Sequence, residues 1–191
     1  WAGPQPIYIA YHDAEWGVPR ADDRLLLEKL ILEGFQAGLS WITILNKRAR
    51  FRELFDNFDA RKMARYDEQK IESLLADAGI IRHRGKIEAA ISNAQIVLKL
   101  RERMSLAAFL WDFVDGAPVQ NEFTSLEEIP AQTPVSQAMA KALKARGFRF
   151  CGPTTVYAFM QSVGMVNDHL AGCHRYETCA ELARGFKAPT Q

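Results

Sequence analysis

The 191-residue sequence lacks the features that would place it in a membrane or in an oxidising compartment. No apolar run approaches the roughly 20 residues that a membrane-spanning helix needs, and no signal-peptide pattern opens the chain. The cysteines Cys151, Cys173 and Cys179 are too few and too clustered for a disulfide framework. We therefore expect a cytoplasmic protein that does not associate with a membrane. Because the sequence opens on Trp1 rather than on methionine, we also expect residues upstream of it.

An excess of charge of one sign is lacking too. The sequence has 24 Lys and Arg against 23 Asp and Glu, a net charge of +1, which gives no overall attraction to nucleic acid. Basic residues nevertheless gather at 47–50, 82–86 and 141–149. A local basic face can bind phosphates in a neutral protein, although charge runs are also common on solvated helix faces.

No segment shows the alternation of a β-strand, and helical patterns dominate. Residues 1–20 are rich in aromatics but interrupted by glycine and proline, so we expect an irregular loop there, and a second loop over 115–133. The predicted fold class is mostly α, as a single globular unit over 1–191 with a helical core over about 22–165. The expected helices are 24–37, 41–55, 60–65, 68–78, 85–102, 106–114, 134 to a stop at Gly147, and 153 to near Gly164.

The stretch 33–41 concentrates unusual residues at one helix end. Glu33 follows a helical pattern of Leu and Ile, where a buried carboxylate is costly unless it is paired. Gly38 permits a turn, Leu39 forms its apolar tip, Ser40 is a candidate N-cap and Trp41 opens the next helix. Two interpretations remain open: a binding corner made of an acid and an aromatic ring, or an ordinary helical corner with a surface glutamate and a core tryptophan.

A second informative stretch, 79–87, has the pattern of a basic turn between two helices. Gly79 suits a left-handed helix C-terminus, and Gly85 leaves backbone N–H groups open at the next helix start. Arg82, Arg84 and Lys86 flank those N–H groups, which is typical of a phosphate site. The stretch resembles a helix-hairpin-helix DNA-binding element without its usual Leu-Pro-Gly-Val-Gly core. A solvated basic turn is the alternative.

Metal-ligand types occur at both ends of the chain. His169 and Cys173 are four positions apart, and His12 lies in the aromatic N-terminal stretch; both residue types are good zinc ligands. A closed structural site needs four ligands, which Cys179 or His174 could complete. Buried core histidines and an inert thiol are the alternative. The sequence argues against a zinc deaminase, because the paired Cys-x-x-Cys and the His-x-Glu of that chemistry are missing.

Taken together, five stretches resemble the bacterial type I 3-methyladenine-DNA glycosylases, which belong to the helix-hairpin-helix glycosylase superfamily. They are YIAYHDAEWGVP at 8–19, LEG at 32–34 with QAGLSWIT at 36–43, DAGIIRHRGKI at 77–87, RGF at 146–148 with Phe150, and VNDH at 166–169. The likeness extends from Trp1 to about Cys173. It implies a helix-hairpin-helix glycosylase fold with the hairpin at 79–87, and a small zinc-clasped unit formed by the N-terminal loop 1–20 and the C-terminal segment 166–191.

The resemblance implies a structural zinc ion held by His12, His169 and Cys173. The family's fourth ligand is a cysteine two positions before the residue that matches Trp1, so it lies upstream of this sequence. Cys179 has no ligand counterpart in the family.

The resemblance also implies a monomeric enzyme of the bacterial cytoplasm that acts on double-stranded DNA. It hydrolyses the N-glycosidic bond of N3-methyladenine, releases free 3-methyladenine and leaves an abasic site; no lyase activity is expected, because no lysine matches the nucleophile of bifunctional relatives. The expected roles are catalysis by Glu33, base binding by Tyr11, Trp41, Trp1, Tyr8 and Trp16, and DNA binding by Gly38, Leu39, Arg82, Arg84, Gly85 and Lys86.

One departure concerns the wider superfamily, whose catalytic aspartate follows the hairpin. No such aspartate follows Lys86, and Asp168 in the VNDH run lies far downstream. This absence supports a non-catalytic DNA-binding module as an alternative function, and a zinc-stabilised protein-interaction domain is a second alternative. Release of free base would separate the enzyme from the first, and DNA affinity at low salt from the second.

Overall fold

Helix α2 (Asp23–Gln36) lies at the centre of the fold in the computed structural model, which describes residues 2–189. Asp22 caps it, because its carboxylate accepts a 2.8 Å hydrogen bond from the Leu25 N–H. All residues from 26 to 35 are buried, so the helix is enclosed rather than amphipathic. Its polar members in that run, Glu28, Lys29 and Glu33, therefore need partners inside the protein.

The predicted mostly helical class is confirmed. Within residues 2–189 the α-helices are α1 (Pro6–Ala14), α2, α3 (Trp41–Leu54), α4 (Ala60–Met63), α5 (Glu68–Ala76), α6 (Arg84–Leu100), α7 (Leu106–Trp111), α8 (Pro134–Ala145), α9 (Pro153–Ser162) and α10 (Tyr176–Gly185). Helices α3, α6, α7 and α9 pack against α2. None of the helices described is long and apolar enough to cross a membrane.

Short elements complete the chain. Strand β1 (Val119–Gln120) pairs in parallel with β2 (Val166–Asn167), with Val119 opposite Val166. Single 3-10 turns span Asp56–Phe58, Asp112–Val114 and Leu126–Glu128. The expectation of no strand is thus wrong, and 115–133 is not wholly loop. A two-residue strand is too short for alternation to show in a sequence.

The expected irregular loop over 1–20 is wrong where α1 forms. Pro6 does not break the helix, because it occupies the first position of α1, where the N–H that proline lacks would have no partner in any case. The helix carries Tyr8, Tyr11 and His12 toward the rest of the protein. Helix α1 packs on α3, so the aromatic N-terminal stretch is an ordered wall rather than a loop.

Two details of the turns also differ from expectation. Ser40 is at the N-cap position of α3, but its side chain makes no cap bond; its hydroxyl lies 2.8 Å from the Thr43 hydroxyl. Gly79 does not have the left-handed conformation that we expected. It is required by space instead, since a Cβ there would lie 2.6 Å from Cγ of Arg50. Gly38 does have a positive φ, of 84°.

Candidate functional site

A cavity of about 400 Å³ opens between α1, α2, α3 and α9. Most of its wall is apolar and aromatic, with one carboxylate and two amides. Five side chains predicted from the sequence to act together do line it: Tyr8, Tyr11, Trp16, Glu33 and Trp41. Trp1, the sixth residue of that prediction, lies outside the described residues. Grouping aromatic faces with one acid in a cavity of this size suits a small planar ligand.

Glu33 is the only acid in the described wall of the cavity. Only 4% of its surface is exposed, and among residues 2–189 no hydrogen bond is made to its carboxylate. Burial raises the pKa of this carboxyl group, and the positive charge of Lys29 opposes that rise. An acid that is costly to bury and has no hydrogen-bond partner is typical of a functional group rather than of a structural one.

The aromatic wall is rigidly built. The rings of Tyr11 and Trp41 lie 5.4 Å apart at 45° to each other. Tyr11 is buried, and burial followed by the nearby charge of Glu33 raises its pKa well above the usual value. The indole Nε1 of Trp41 is buried without a hydrogen-bond partner among the described residues, so it offers a donor beside the cavity.

Sequence reasoning missed five further residues of the cavity wall: Gln36, Leu126, Ile129, Ala158 and Gln161. Leu126 and Ile129 come from the stretch that looked like a featureless loop. Gln161 is held by Asp168, whose carboxylate accepts hydrogen bonds from Gln161 Nε2 at 2.8 Å and from the Tyr157 hydroxyl at 2.7 Å. Asp168 therefore positions a wall residue of the cavity.

Gln36 connects the cavity to the exposed turn beside it. Its side-chain amide donates to the carbonyl oxygen of Leu39 at 2.6 Å, and the Leu39 N–H donates back to the Gln36 carbonyl at 2.6 Å. Gly38 has open space around it, and the apolar side chain of Leu39 is 38% exposed. The turn thus presents a fixed apolar tip to solvent next to the cavity mouth.

The basic turn after α5 is placed as the sequence predicts, but its side chains are not equivalent. Arg82 is exposed, whereas Arg84 is bound to Glu68 and Glu72, with Glu88 3.8 Å away. Helix α6 begins at Arg84 rather than at Gly85. Of the arginines, Arg82 is therefore the better placed to meet a phosphate.

Lys86 is not on the surface, contrary to our expectation of a basic side chain flanking the turn. It is buried, and its Nζ donates to the carbonyl oxygens of Phe35 at 2.9 Å and Ala37 at 2.7 Å. These carbonyls belong to the C-terminal end of α2, which attracts cations. Lys86 consequently holds α6 against the turn that carries Leu39, and its ammonium is not free to meet a phosphate.

His12, His169 and Cys173 come together at one point, although 157 and 161 residues separate His12 from the other two. Sγ of Cys173 lies 3.6 Å from Nε2 of His12 and 3.5 Å from Nδ1 of His169. Two donors on one tetrahedral zinc ion lie roughly 3.5 Å apart. The two distances from Cys173 match that separation, and all three donor atoms lie within 4.8 Å of one another.

The neighbours of the two imidazoles set which nitrogen faces the cluster. Nδ1 of His12 lies 2.7 Å from a carboxylate oxygen of Asp13, and Nε2 of His169 lies 3.1 Å from the carbonyl oxygen of Trp16. Each of these nitrogens donates its proton, which leaves a lone pair on the other nitrogen directed at Cys173. Such outer partners are typical of metal-binding histidines. Cys179 and His174 are not part of this group of three.

Comparison with known proteins places these features in a family. The model of the methyladenine glycosylase family matches residues 1–176. "DNA-3-methyladenine glycosylase 1" of Escherichia coli (strain K12) is 51% identical over 177 residues, which are 92% of this chain and 95% of the relative.

Comparison with solved structures points to the same family. A crystal structure of 3-methyladenine DNA glycosylase I is 54% identical, has a TM-score of 0.90, and the match covers 91% of this chain and 96% of that one. A tyrosine-to-phenylalanine variant of 3-methyladenine DNA glycosylase I, in complex with 3-methyladenine, is 35% identical with a TM-score of 0.88 and coverage of 91% and 94%.

Proposed function

The chain belongs to the methyladenine glycosylase family and excises 3-methyladenine from alkylated DNA in base-excision repair, and we propose that it does so by hydrolysis alone, without strand cleavage. The observation that links the site to a cationic base is the buried carboxylate of Glu33, which faces an aromatic cavity without a hydrogen-bond partner among the described residues. Such a group is suited to a cationic base. Hydrolysis without strand cleavage rests on the lack of a lysine in the described cavity wall.

The reaction needs little general-acid catalysis from the enzyme. Methylation at N3 makes the adenine base cationic, so the electron pair of the N-glycosidic bond returns to a positively charged ring and the base leaves as a neutral molecule. Water then adds to C1′ of the sugar and gives up a proton to the solvent, and an abasic site remains. The developing oxocarbenium ion is positive, and the charge of Glu33 stabilises it. The absence of a superfamily aspartate after Lys86 fits a leaving group that is already activated.

Selection of the cationic base rests on the cavity wall. A cation above an aromatic face gains roughly 0.5–2 kcal/mol, and Tyr8, Tyr11 and Trp41 offer such faces. Glu33 can accept a hydrogen bond from the exocyclic amine, which favours positive charge on the ring. Neutral adenine lacks the positive charge that strengthens both the cation–π contact and the hydrogen bond to Glu33, so it binds more weakly.

The same wall argues against lyase activity. A lyase needs an amine that attacks C1′ and forms a Schiff base. No lysine lines the described wall of the cavity. Lys29, behind that wall, has its ammonium bound to the hydroxyl of Tyr11 at 3.2 Å and is 2% exposed.

Binding of double-stranded DNA is assigned to the face that carries the two turns. Arg82 and the open N–H groups at the start of α6, near Gly85, meet backbone phosphates as in a helix-hairpin-helix element. Gly38 allows the adjacent backbone to approach the duplex, and Leu39 fills the gap left by the flipped base. The cavity, the tip and the basic turn all come from one chain, which supports action as a monomer. The bacterial relative and a DNA substrate support a cytoplasmic location.

We also propose a structural zinc ion at His12, His169 and Cys173. The spacing of the donors and the outer partners of both histidines fit this ion. A zinc ion bound by these residues would crosslink α1, which carries Tyr8 and Tyr11, to the segment after β2.

The test is a product analysis on a duplex that contains a single 3-methyladenine. Free base should be released and abasic sites should accumulate at the same rate, and strand breaks should appear only after alkali. An undamaged duplex of the same sequence is the control. Strand breaks without alkali would contradict hydrolysis alone, and binding without release would favour the non-catalytic module.

A further inference from the structure

Lys29 is an ammonium group placed directly behind the aromatic wall of the cavity. We propose that Lys29 is a positioning residue for base excision, which favours the ionised form of the Glu33 carboxylate and fixes Tyr11 in the cavity wall. The inference rests on the proposed role of Glu33. Lys29 is not itself among the residues that line the cavity, so it acts through these two neighbours and not on the base.

The position of Lys29 is that of a core residue. It lies in the fully buried run of α2, with Leu26 and Leu30 close in sequence, and only 2% of its surface is exposed. Burying an ammonium group is costly unless it is paired, and an apolar side chain would fit the core with less penalty. A charged residue at this position therefore needs an explanation in terms of what it contacts.

Its contacts lead to the cavity wall. Nζ donates a 3.2 Å hydrogen bond to the hydroxyl of Tyr11 and lies 4.3 Å from the centre of the Tyr11 ring. The centre of the Trp41 ring is 5.9 Å away, within the range of a cation–π interaction. One ammonium thus bonds to one aromatic side chain of the cavity wall and lies within cation–π range of a second, which favours their observed orientation.

Lys29 and Glu33 are also one helical turn apart on α2, at the i and i+4 positions that share a face. The carboxylate of Glu33 has no hydrogen bond from any described residue. Lys29 therefore stabilises its ionised form electrostatically, without a direct hydrogen bond. Burial raises the pKa of Glu33 and the charge of Lys29 lowers it; burial in turn lowers the pKa of Lys29, and Glu33 opposes that change.

The other charges around the pair are already occupied. Arg48 donates to Glu15 at 2.7 Å and to Glu28 at 2.7 Å, and Arg52 donates to Glu28 at 2.9 Å. The other titratable groups around Lys29 and Glu33 come from several elements. They are Tyr8, Tyr11 and Glu15 from the N-terminal segment, Glu28 on α2, Arg48 and Arg52 on α3, and Lys86 of α6, whose Nζ lies at the C-terminal end of α2.

Glu15 has a second effect on the pair. Its carboxylate lies 3.5 Å from Nζ of Lys29. It therefore offsets part of the ammonium charge. A cationic base in the cavity thus meets the negative charge of Glu33 more than the positive charge of Lys29, and the arrangement remains favourable for a cation.

The test compares single-turnover excision across pH for the parent enzyme and four variants. Lys29→Met removes the charge with little change of volume, Lys29→Arg keeps the charge, Glu33→Gln removes the acid, and the fourth combines Lys29→Met with Glu33→Gln. We expect Lys29→Met to move the acid limb of the profile to higher pH. For each unit of displacement the rate below the limb falls about tenfold, and the rate recovers at high pH. Lys29→Arg should restore the parent limb, at least in part.

The double variant tests whether Lys29 affects excision through the charge of Glu33. If Lys29 acts through the charge of Glu33, Lys29→Met should produce no displacement of the limb once Glu33 is glutamine. Lys62→Met is the matched control, because Lys62 is an exposed lysine paired with Asp56 away from the cavity; its profile should match the parent. Loss of activity by the same factor at every pH, or an equal displacement in the Glu33→Gln background, would overturn the inference.

Its failure can be told apart from that of the proposed function. If Glu33→Gln excises normally, the proposed role of Glu33 is wrong. If Glu33→Gln is impaired and Lys29→Met has the parent profile, only the role of Lys29 is wrong. Should Lys29→Met not fold, Lys29→Gln and an NMR titration of the parent protein decide instead. The Glu33 carboxyl must ionise while Lys29 is still charged, and a neutral Lys29 at that pH would contradict the proposal.

Discussion

The Nζ atom of Lys86 donates a 2.7 Å hydrogen bond to the carbonyl oxygen of Ala37, which joins the start of α6 to the turn that carries Leu39. The same Nζ donates to the Phe35 carbonyl at 2.9 Å. The turn that would hold a phosphate and the tip that would replace a flipped base are therefore parts of one rigid unit. Contact of either with DNA fixes the position of the other relative to the cavity.

Replacing Lys86 by methionine should destabilise this unit. The change leaves two carbonyl groups at the end of α2 without their donor, at a cost of about 1–3 kcal/mol in unfolding free energy. Urea unfolding measures it. Arg82→Gln is the control, since substitution of an exposed residue changes stability by less than about 0.5 kcal/mol. A Lys86→Met protein with unchanged stability and weakened DNA binding would make Lys86 a phosphate ligand after all.

Arg82 and Arg84 should differ in their effect on DNA affinity. Arg82→Gln should weaken binding to damaged and undamaged duplexes alike, and reduce the slope of log K against log salt by about 0.9 for one lost phosphate contact. Arg84→Gln should have a smaller effect, because three glutamates already neutralise Arg84. Fluorescence anisotropy over a salt series measures both slopes. Equal slopes for the two variants would show that Arg84 leaves its glutamates when DNA binds.

The sequence predicts several residues of the cavity wall, but it does not predict that the side chain of Lys86 is buried. Glu33 and Trp41 were grouped because an acid, a glycine turn and a large ring occur within nine residues. Lys86 looks like Arg82 and Arg84 in a basic run, and only the packing of α6 on α2 distinguishes it. A helix start next to a helix end provides carbonyls for a lysine, and a sequence does not reveal that neighbour.

The N-terminal helix illustrates a second limit of sequence reasoning. Proline, glycine and aromatic residues predicted a loop, yet Pro6 begins α1 and Tyr11 lies on its buried side. The tertiary contacts of α1 with α3 decide this segment, because a nine-residue helix has little stability by itself. Lys29 was missed for a related reason: a lysine in an apolar helix looks like a solvent-exposed position until the helix proves to be buried on all sides.

Zinc should bind at the site of His12, His169 and Cys173 and stabilise the fold. Metal analysis of the protein extended upstream of Trp1 should find about one zinc ion per chain, and chelation should lower the melting temperature. Cys173→Ser should lower zinc affinity, whereas Cys151→Ser, at a buried thiol outside the cluster, should not. A metal-free extended protein with full stability and activity would refute the site. Loss of turnover on chelation with an unchanged melting temperature would instead indicate a catalytic metal.

Glu33→Gln should weaken base binding and slow excision further. The amide keeps the shape of the side chain but loses the charge, so binding falls by roughly 1–3 kcal/mol if the hydrogen bond is made by a charged acceptor. Excision falls more, because the charge also stabilises the transition state. It does not fall to zero, since the methylated base is already a good leaving group. Isothermal titration with free 3-methyladenine and single-turnover release from a duplex measure the two effects; unchanged values in both would make Glu33 an ordinary helix residue.

The same substitution should make the protein more stable, with a defined dependence on pH. The pKa of Glu33 is raised in the folded state above its usual value of 4.5, so the folded protein keeps a proton that the unfolded chain loses. Its contribution to stability is present below pH 4.5 and is lost as the pH rises through the raised folded pKa. The neutral amide does not undergo this loss.

The melting temperature of Glu33→Gln should therefore exceed that of the parent protein by a margin that grows as the pH rises above 4.5 and levels off beyond the folded pKa. Repeating the pair of measurements in the Lys29→Met background removes the other titrating group of α2. The margin should then be larger, because without the ammonium the ionised carboxylate is less stable in the folded protein. A margin that does not change with pH would mean that Glu33 titrates as it does in water, and that the acid is solvated rather than held in a low-dielectric cavity.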